Sequence, residues 1–265
     1  MEMKFESYSF GKRMKSMLSV DFRRMFTMPL LYIMTGTSLV IPILVMVMTT
    51  MFDGSTSVNP QTGVETTIQG FENTWQGIAG LSGAPMSMDL TSMCNINLVY
   101  FMLSVLVCIF IAADFRSGYA KNLFAVRAKK SDYVISKTLV GFVGGVIMLL
   151  AYFIGTMLGG AIAGLPFDTG VAGVNGVVMC MLAKTFLLAV FVAIYVLLSV
   201  IVKEKLWASI VGSLMVGMLL FMMIPMLTPL DAGIANVVMC LIGGVLFCVG
   251  LGAISNVILK KKNIL

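Results

Sequence analysis

One ionisable side chain, Lys184, is set inside an apolar run, that of residues 176–202. Such a lysine either snorkels its ammonium to external headgroups or faces a pathway where it meets an anionic group on cargo. Little other chemistry accompanies it. The chain has no histidine, which removes Ser-His and Cys-His catalysis, imidazole metal sites and H-E-x-x-H chemistry together. The five cysteines, Cys94, Cys108, Cys180, Cys240 and Cys248, show no CxxC or other ligand spacing and read as small buried apolar residues. No G-x-x-x-x-G-K-S/T loop is present, so the chain has no P-loop of its own. The apolar runs contain no Asp or Glu, the side chains that proton- and sodium-coupled carriers place there. The residues therefore predict a non-catalytic chain that needs no cofactor or metal.

The elements that position these residues are six apolar runs, at 30–52, 96–113, 139–162, 176–202, 207–227 and 237–259. Each is near or above the ~18–20 apolar residues that cross a bilayer core of about 30 Å. Apart from Lys184, every positive charge falls in alternate connections. Lys4, Lys12, Arg13, Lys15, Arg23 and Arg24 precede the first run; Arg116, Lys121, Arg127, Lys129, Lys130 and Lys137 follow the second. Lys203 and Lys205 follow the fourth, and Lys260, Lys261 and Lys262 the sixth. The remaining connections carry only Asp53, Glu65, Glu72, Asp89, Asp168 and Asp231. Short basic loops stay in the cytosol. The pattern predicts an all-α polytopic membrane protein with six transmembrane helices and both termini cytosolic, in the plasma membrane of a bacterium.

Composition agrees: 59% hydrophobic and 11% charged residues exclude soluble folds. The +6 net charge belongs to a face turned to anionic headgroups rather than to nucleic acid. The N-terminal segment 1–29 precedes a transmembrane domain over 30–265. Within it, Phe10, Met14, Met17, Leu18 and Met25 share one helical face, as in an amphipathic helix at the membrane interface; Asp21 falls on that face and weakens the pattern. Pro29 marks the bend into the first span. The external loop 53–95 contains Trp75, read as a headgroup anchor in preference to a cap over an external mouth. In the third run Gly141 and Gly145, Gly155 and Gly159, and Gly160 and Gly164 are spaced for close helix packing. Pro225 and Pro229 predict a broken helix at the end of the fifth.

The internal loop 114–138 reads D-F-R-S-G-Y-A-K-N-L-F-A-V before a basic turn. Ser117 is placed to cap a short helix with Tyr119, Leu123 and Val126 on one side, and Ser131 to cap the helix entering the third span. A solvated basic loop would not need those apolar residues; a docking surface for a cytosolic partner would. Asp114, Gly118 and Lys121, followed by K-K-S-D-Y-V-I-S-K-T-L, make this segment resemble the first internal loop of the permease subunits of type 2 ABC exporters. The acidic pair usual there is reduced to Asp114, after Ala113. The resemblance implies a separate cytosolic ATP-binding-cassette ATPase as partner and a second permease chain, identical or paralogous. It also implies a coupling helix after Asp114, with Asp114, Phe115, Arg116, Gly118, Tyr119 and Lys121 at the ATPase interface, and export of a hydrophobic or amphipathic cargo such as a peptide or antibiotic. The alternative is a non-transporting membrane scaffold or sensor that recruits a cytosolic partner through the same loop.

Overall fold

The computed structural model describes residues 9–58, 65–67, 70–79, 94–125, 129–203, 205–221 and 223–261. The architecture is helical. Helix α1 (Phe10–Thr27) stops before Pro29, where Met28 is extended at φ −80° and ψ 120°, the conformation that a following proline favours. Pro29 then occupies the first turn of α2 (Pro29–Met51), where its missing N–H costs nothing. Beyond α2, a short antiparallel pair joins β1 (Thr56–Val58) to β2 (Glu65–Thr67), with Thr56 opposite Thr67. There follow α3 (Leu98–Arg116), the short α4 (Tyr119–Ala125), the 34-residue α5 (Lys130–Ala163) and α6 (Gly173–Val202). The chain ends with α7 (Leu206–Phe221), α8 (Ile224–Leu227) and α9 (Ile234–Lys261).

Among the described residues, five helices are long and apolar enough to cross a membrane: α2, α3, α5, α6 and α9. The fifth apolar run, 207–227, predicted to end in a helix broken near Pro225 and Pro229, is divided between α7, of 16 residues, and the single turn α8. At ~1.5 Å per residue α7 covers only about 24 Å. Pro225 lies at the start of α8, where its ring fits the first turn and a longer helix running through it would clash. Helix α5 departs from its predicted bounds in the opposite sense. It begins nine residues before the apolar run, at Lys130, one residue before the predicted cap at Ser131, and so carries Asp132, Ser136 and Lys137 in its first turns.

Contacts across the helices fix their directions. Gly144 faces Leu31 and Gly159 faces Ile43, so α5 runs parallel to α2. Tyr100 bonds the Lys184 carbonyl and Cys108 meets Ser199, so α6 runs parallel to α3. Gly145 faces both Leu103 and Leu188 while Gly141 faces Val107 and Val192, so α5 opposes both. Ser209 meets Ser199 and Gly217 meets Tyr195, so α7 opposes α6. Alternate connections therefore gather at one end, which holds Arg13, Arg24, Arg116, Lys121, Lys130, Lys203, Lys205 and Lys260. Asp53, Asp168 and Asp231 lie towards the other.

At the centre is α3, packed by α5, α6 and α7, with Tyr100, Leu103, Val107 and Ile111 buried. The outer surfaces of α2, α7 and α9 stay apolar and exposed, at Tyr32, Leu44, Met215, Leu219, Leu246 and Val249 among others. Lipid tails are as apolar as leucine, so close packing and interhelical hydrogen bonds must join the helices. A Cβ on Gly155 would overlap the Leu39 carbonyl and lie 2.7 Å from Pro42 Cγ, and one on Gly159 would lie 2.9 Å from Ile43 Cα. The first two glycine pairs thus hold α5 against α3, α6 and α2. The third is different: Gly160 makes room for Thr74, whereas Gly164, at φ +70°, ends α5 as a left-handed cap. Polar threads supplement the packing, notably Cys108 Sγ to Ser213 Oγ at 3.2 Å and Ser199 Oγ to Ser209 Oγ at 3.1 Å.

Trp75 is buried, which corrects its reading as a headgroup anchor. It lies in a 3-10 turn (Thr74–Gly77) whose backbone donates from Thr74 to Pro166 at 3.1 Å, and its ring meets Phe167 edge-on. Gly77 lets this turn settle onto Met46 and Thr156, and Gly160 on α5 makes room for its Thr74. Because the neighbours of Gly155 are backbone atoms that cannot retreat, Gly155→Val should destabilise the chain by at least about 1–3 kcal/mol. Gly243→Val, where nothing lies within 4 Å, should be near neutral. Thermal unfolding of the two variants in detergent checks this; equal losses would show that the α2–α5 contact is not tight.

Candidate functional site

At the basic end, three helices bring together three buried charges and the half-buried Arg24. Helix α1 buries Met14, Met17, Asp21 and Met25 along one stripe. Asp21 is therefore a member of the packed face instead of a flaw in it, and Phe10, predicted on that face, is exposed. Helix α3 contributes Asp114 at its C-terminal end, fully buried. The early turns of α5 contribute Tyr133, Ser136 and Lys137 from one side of the helix, all buried.

Lys137 Nζ joins the two carboxylates, at 2.7 Å from Asp21 Oδ1 and 2.7 Å from Asp114 Oδ2. Arg24 closes the ring from α1, with Nη2 2.5 Å from Asp114 Oδ1 and Nη1 3.8 Å from Asp21 Oδ1. Ser136 Oγ donates to Asp21 at 2.6 Å and the Tyr133 hydroxyl to Asp114 at 3.0 Å. Two acids and two bases cancel. Asp114 needs these partners doubly, because the C-terminal end of a helix already presents unpaired carbonyls and repels an anion. Asp132, in contrast, sits in the first turn of α5, where a carboxylate is favoured, and pairs with Arg13 at 3.0 Å. Aromatic faces complete the enclosure. Lys137 Nζ is 4.1 Å from the Phe110 ring centre, and the Arg24 guanidinium 4.2 Å from that of Tyr119.

The electrostatics follow. Burial works against charge on Arg24, but Asp114 and then Asp21 outweigh it and hold the guanidinium above its ordinary value. Burial also raises the Tyr119 phenol, helped by Asp21 and Asp114 and opposed by Arg24. Tyr119 thus stays neutral and offers its ring to the cation.

The turn from α3 to α4 is set by Gly118, at φ +72°, a left-handed conformation that favours glycine. Ser117 Oγ accepts from the Tyr119 N–H at 3.4 Å, the capping role its position predicted. Ser131 does not cap α5; that helix starts from Lys129 without a side-chain cap. In α4, Ala120 is buried, Leu123 packs on the core and Phe124 meets the Tyr133 ring at 5.4 Å. The apolar face of α4 is thus covered by this chain's own helices, because α5 starts early enough to supply a core beneath it. Val126 lies outside the described residues. Of the predicted interface residues, Arg116 and Lys121 point outward, Gly118 and Tyr119 are half-buried, and Asp114 and Phe115 are buried. Asp114 and Phe115 are therefore corrected from direct partner contacts to supports for the turn that presents the others. The exposed side of the segment is Arg116, Ser117, Lys121, Asn122 and Ala125.

Sequence reading missed Asp21, Arg24, Lys137 and Tyr133 as members of this site. The available signal was Asp21, an acid on an otherwise apolar helical stripe.

Lys184 occupies a second polar site towards the other end. It is fully buried, which rules out snorkelling. Its ammonium donates to Asn97 Oδ1 at 2.9 Å and Thr228 Oγ1 at 2.8 Å, tying α6 to the start of α3 and to the chain just after α8. Among the described residues no carboxylate pairs with it, and no group of three or more Cys, Asp or Glu able to hold a metal occurs.

The two buried lysines should respond differently to replacement by methionine. Lys137→Met leaves two buried carboxylates facing only Arg24 and should cost about 3–5 kcal/mol. Lys184→Met removes a buried cation without a described counterion and should cost less than about 1 kcal/mol or stabilise. Thermal unfolding of both variants checks the contrast; similar losses would refute the assignment of Lys137 as the keystone of a neutral ring.

The chain matches no protein-family model, no curated protein and no solved structure.

Proposed function

We propose that this chain is the membrane subunit of an ATP-driven exporter, moving a hydrophobic or amphipathic cargo, a peptide or antibiotic in the favoured case, across the bacterial plasma membrane. In this reading it makes six crossings, with α7 and α8 together as the fifth. The end bearing Arg116, Lys121 and both termini faces the cytosol, as the distribution of Lys and Arg supports. A separate ATPase binds against α4, and a second permease chain covers part of the exposed apolar surface of this one.

The observation that carries the reading is the seating of α4. A seven-residue helix of this kind has little stability of its own. Here its inner side rests on Tyr133 and, through Tyr119, on the Arg24 guanidinium. Its outer side is left polar and basic. A push on α4 therefore reaches α1, α3 and α5 through one neutral ring of charges. ATP shifts such a system only through its different affinity for two states of the ATPase pair; a braced α4 is what passes that difference to the spans. Lys184, which ties α6 to the segment after α8, stays the candidate for a charge that meets cargo when the helices rearrange.

The experiment is purification of the full chain from its native membranes, with identification of the co-purifying cytosolic ATPase. Gly118→Pro cannot adopt the turn at φ +72° and should reduce co-purification and export by on the order of tenfold or more. The charge reversals Arg116→Glu and Lys121→Glu should weaken association, Lys121→Glu without lowering thermal stability. Survival of both association and export in all three variants would overturn the coupling role. A partner that proves to be no ATPase would favour the scaffold alternative.

A further inference from the structure

Between α5 and α9, at the basic end, lies an open groove of about 400 Å³ with an almost wholly apolar lining. Ser131, Val134 and Thr138 form one wall, and Val249, Gly252 and Asn256 the other. Gly252 keeps the walls apart: even a Cβ there would stand 3.9 Å from Val134. The groove has a polar end. Ser131 and Asn256 lie there together, and Asn256 Oδ1 is buried with no hydrogen-bond partner among the described residues. Just past that end Lys130 Nζ donates to the Leu259 carbonyl at 2.7 Å, pinning α5 to α9. Lys129, Lys260 and Lys261 are exposed around it. Lys260 follows Asn256 by one helical turn. The neighbouring carboxylate, Asp132, is taken up by Arg13 at 3.0 Å.

We infer that this groove is a binding site for an anionic phospholipid of the adjoining leaflet. One acyl chain lies along Val134, Thr138 and Val249, and the phosphate sits among Lys129, Lys260 and Lys261. The inference rests on the membrane reading of the chain. Three observations select this occupant over a passing annular lipid. The groove is apolar along its length and cationic only at its headgroup end, the distribution a phospholipid presents in reverse. Asn256 Oδ1 lacks the donor that a hydroxylated headgroup such as glycerol provides, and a buried acceptor left without one costs free energy. Basic pockets between transmembrane helices on the cytosolic side recur as sites for anionic headgroups. A lipid held here would span α5 and α9 and brace α5 from the side opposite α1. It would thereby set the stiffness of the helix that carries Lys137.

The test is native mass spectrometry of the full chain, reconstituted with equal amounts of phosphatidylglycerol and phosphatidylcholine. The wild type should retain one phosphatidylglycerol in preference to phosphatidylcholine. Lys260→Gln with Lys261→Gln should lower that preference on the order of tenfold while the protein inserts normally. Gly252→Phe should displace the retained lipid of either kind. Should that variant fail to insert, Val249→Trp, at a position 67% exposed on the groove wall, fills the same space. No headgroup preference in the wild type would overturn the inference, as would a preference indifferent to the lysine pair or undiminished lipid in the filled variant. Since the readout is bound lipid, such a failure leaves the exporter reading standing. A chain that does not enter the membrane fraction at all would overturn both.

Discussion

Two buried carboxylates, a buried ammonium and a half-buried guanidinium at one end of an apolar bundle must neutralise one another, or that end opens. Asp21, Arg24, Asp114 and Lys137 meet this condition through three ion pairs within 2.7 Å and the longer Arg24–Asp21 approach. A buried ion pair gives little net stability compared with well-packed apolar residues, yet removing one partner is costly. What such a ring supplies is register. It allows α1, α3 and α5 only the arrangement in which all four charges meet. The same ring decides where α4 sits, because the cation of Arg24 lies over Tyr119 and the hydroxyl of Tyr133 holds Asp114.

The rest of the bundle is organised so that this junction has something rigid to act on. Helix α5 is the long member, and at ~1.5 Å per residue its 34 residues reach roughly 50 Å. That exceeds an apolar core of about 30 Å; its first turns carry the charged residues while its later turns, at Gly155 and Gly159, lie against the backbone of α2. One helix thus carries both the charged junction and the tightest packing. Movement of its charged end cannot be absorbed locally, since the glycine contacts leave no slack between α5 and α2. The far end of α5 is fixed in turn by Thr74 and the buried Trp75 turn.

Much of this was legible in the residues. Five of the six apolar runs are each a single helix, Pro29 separates α1 from α2, and the basic connections gather at one end, because apolar length, proline geometry and charge alternation are local properties. The site was legible only in part. Asp114, Gly118 and Tyr119 drew notice through their spacing, but Lys137 was read only as one more positive charge of a connection, since the apolar run begins after it. Helix propensity does not stop where hydropathy does, so α5 extends back to Lys130. That extension supplies the surface on which Tyr119, Leu123 and Phe124 pack, residues that seemed to require a partner. Asp21 failed for a different reason. An acid on an apolar stripe counts against amphipathicity unless its cations are known, and these come partly from a helix more than a hundred positions away.

The two buried lysines show how environment, and not residue type, assigns the role. Lys137 is enclosed by two carboxylates, one of them supported by Ser136, and three aromatic rings, so its charge is satisfied in the state described. Lys184 has two neutral oxygens. Neutral acceptors solvate an ammonium less fully than a carboxylate does, and its third proton has no described acceptor. A charge held this way persists only if the fold is over-determined around it, and the packing of α6 on α3 and α9 provides that constraint. Its stabilisation is therefore incomplete in a sense that Lys137's is not. Any rearrangement that brings an anionic group to Asn97 and Thr228 lowers the energy of the site, whereas any rearrangement that parts Lys137 from Asp21 or Asp114 raises it. One end of the bundle is held by complementary charges, and the other holds a cation met by neutral groups alone among the described residues.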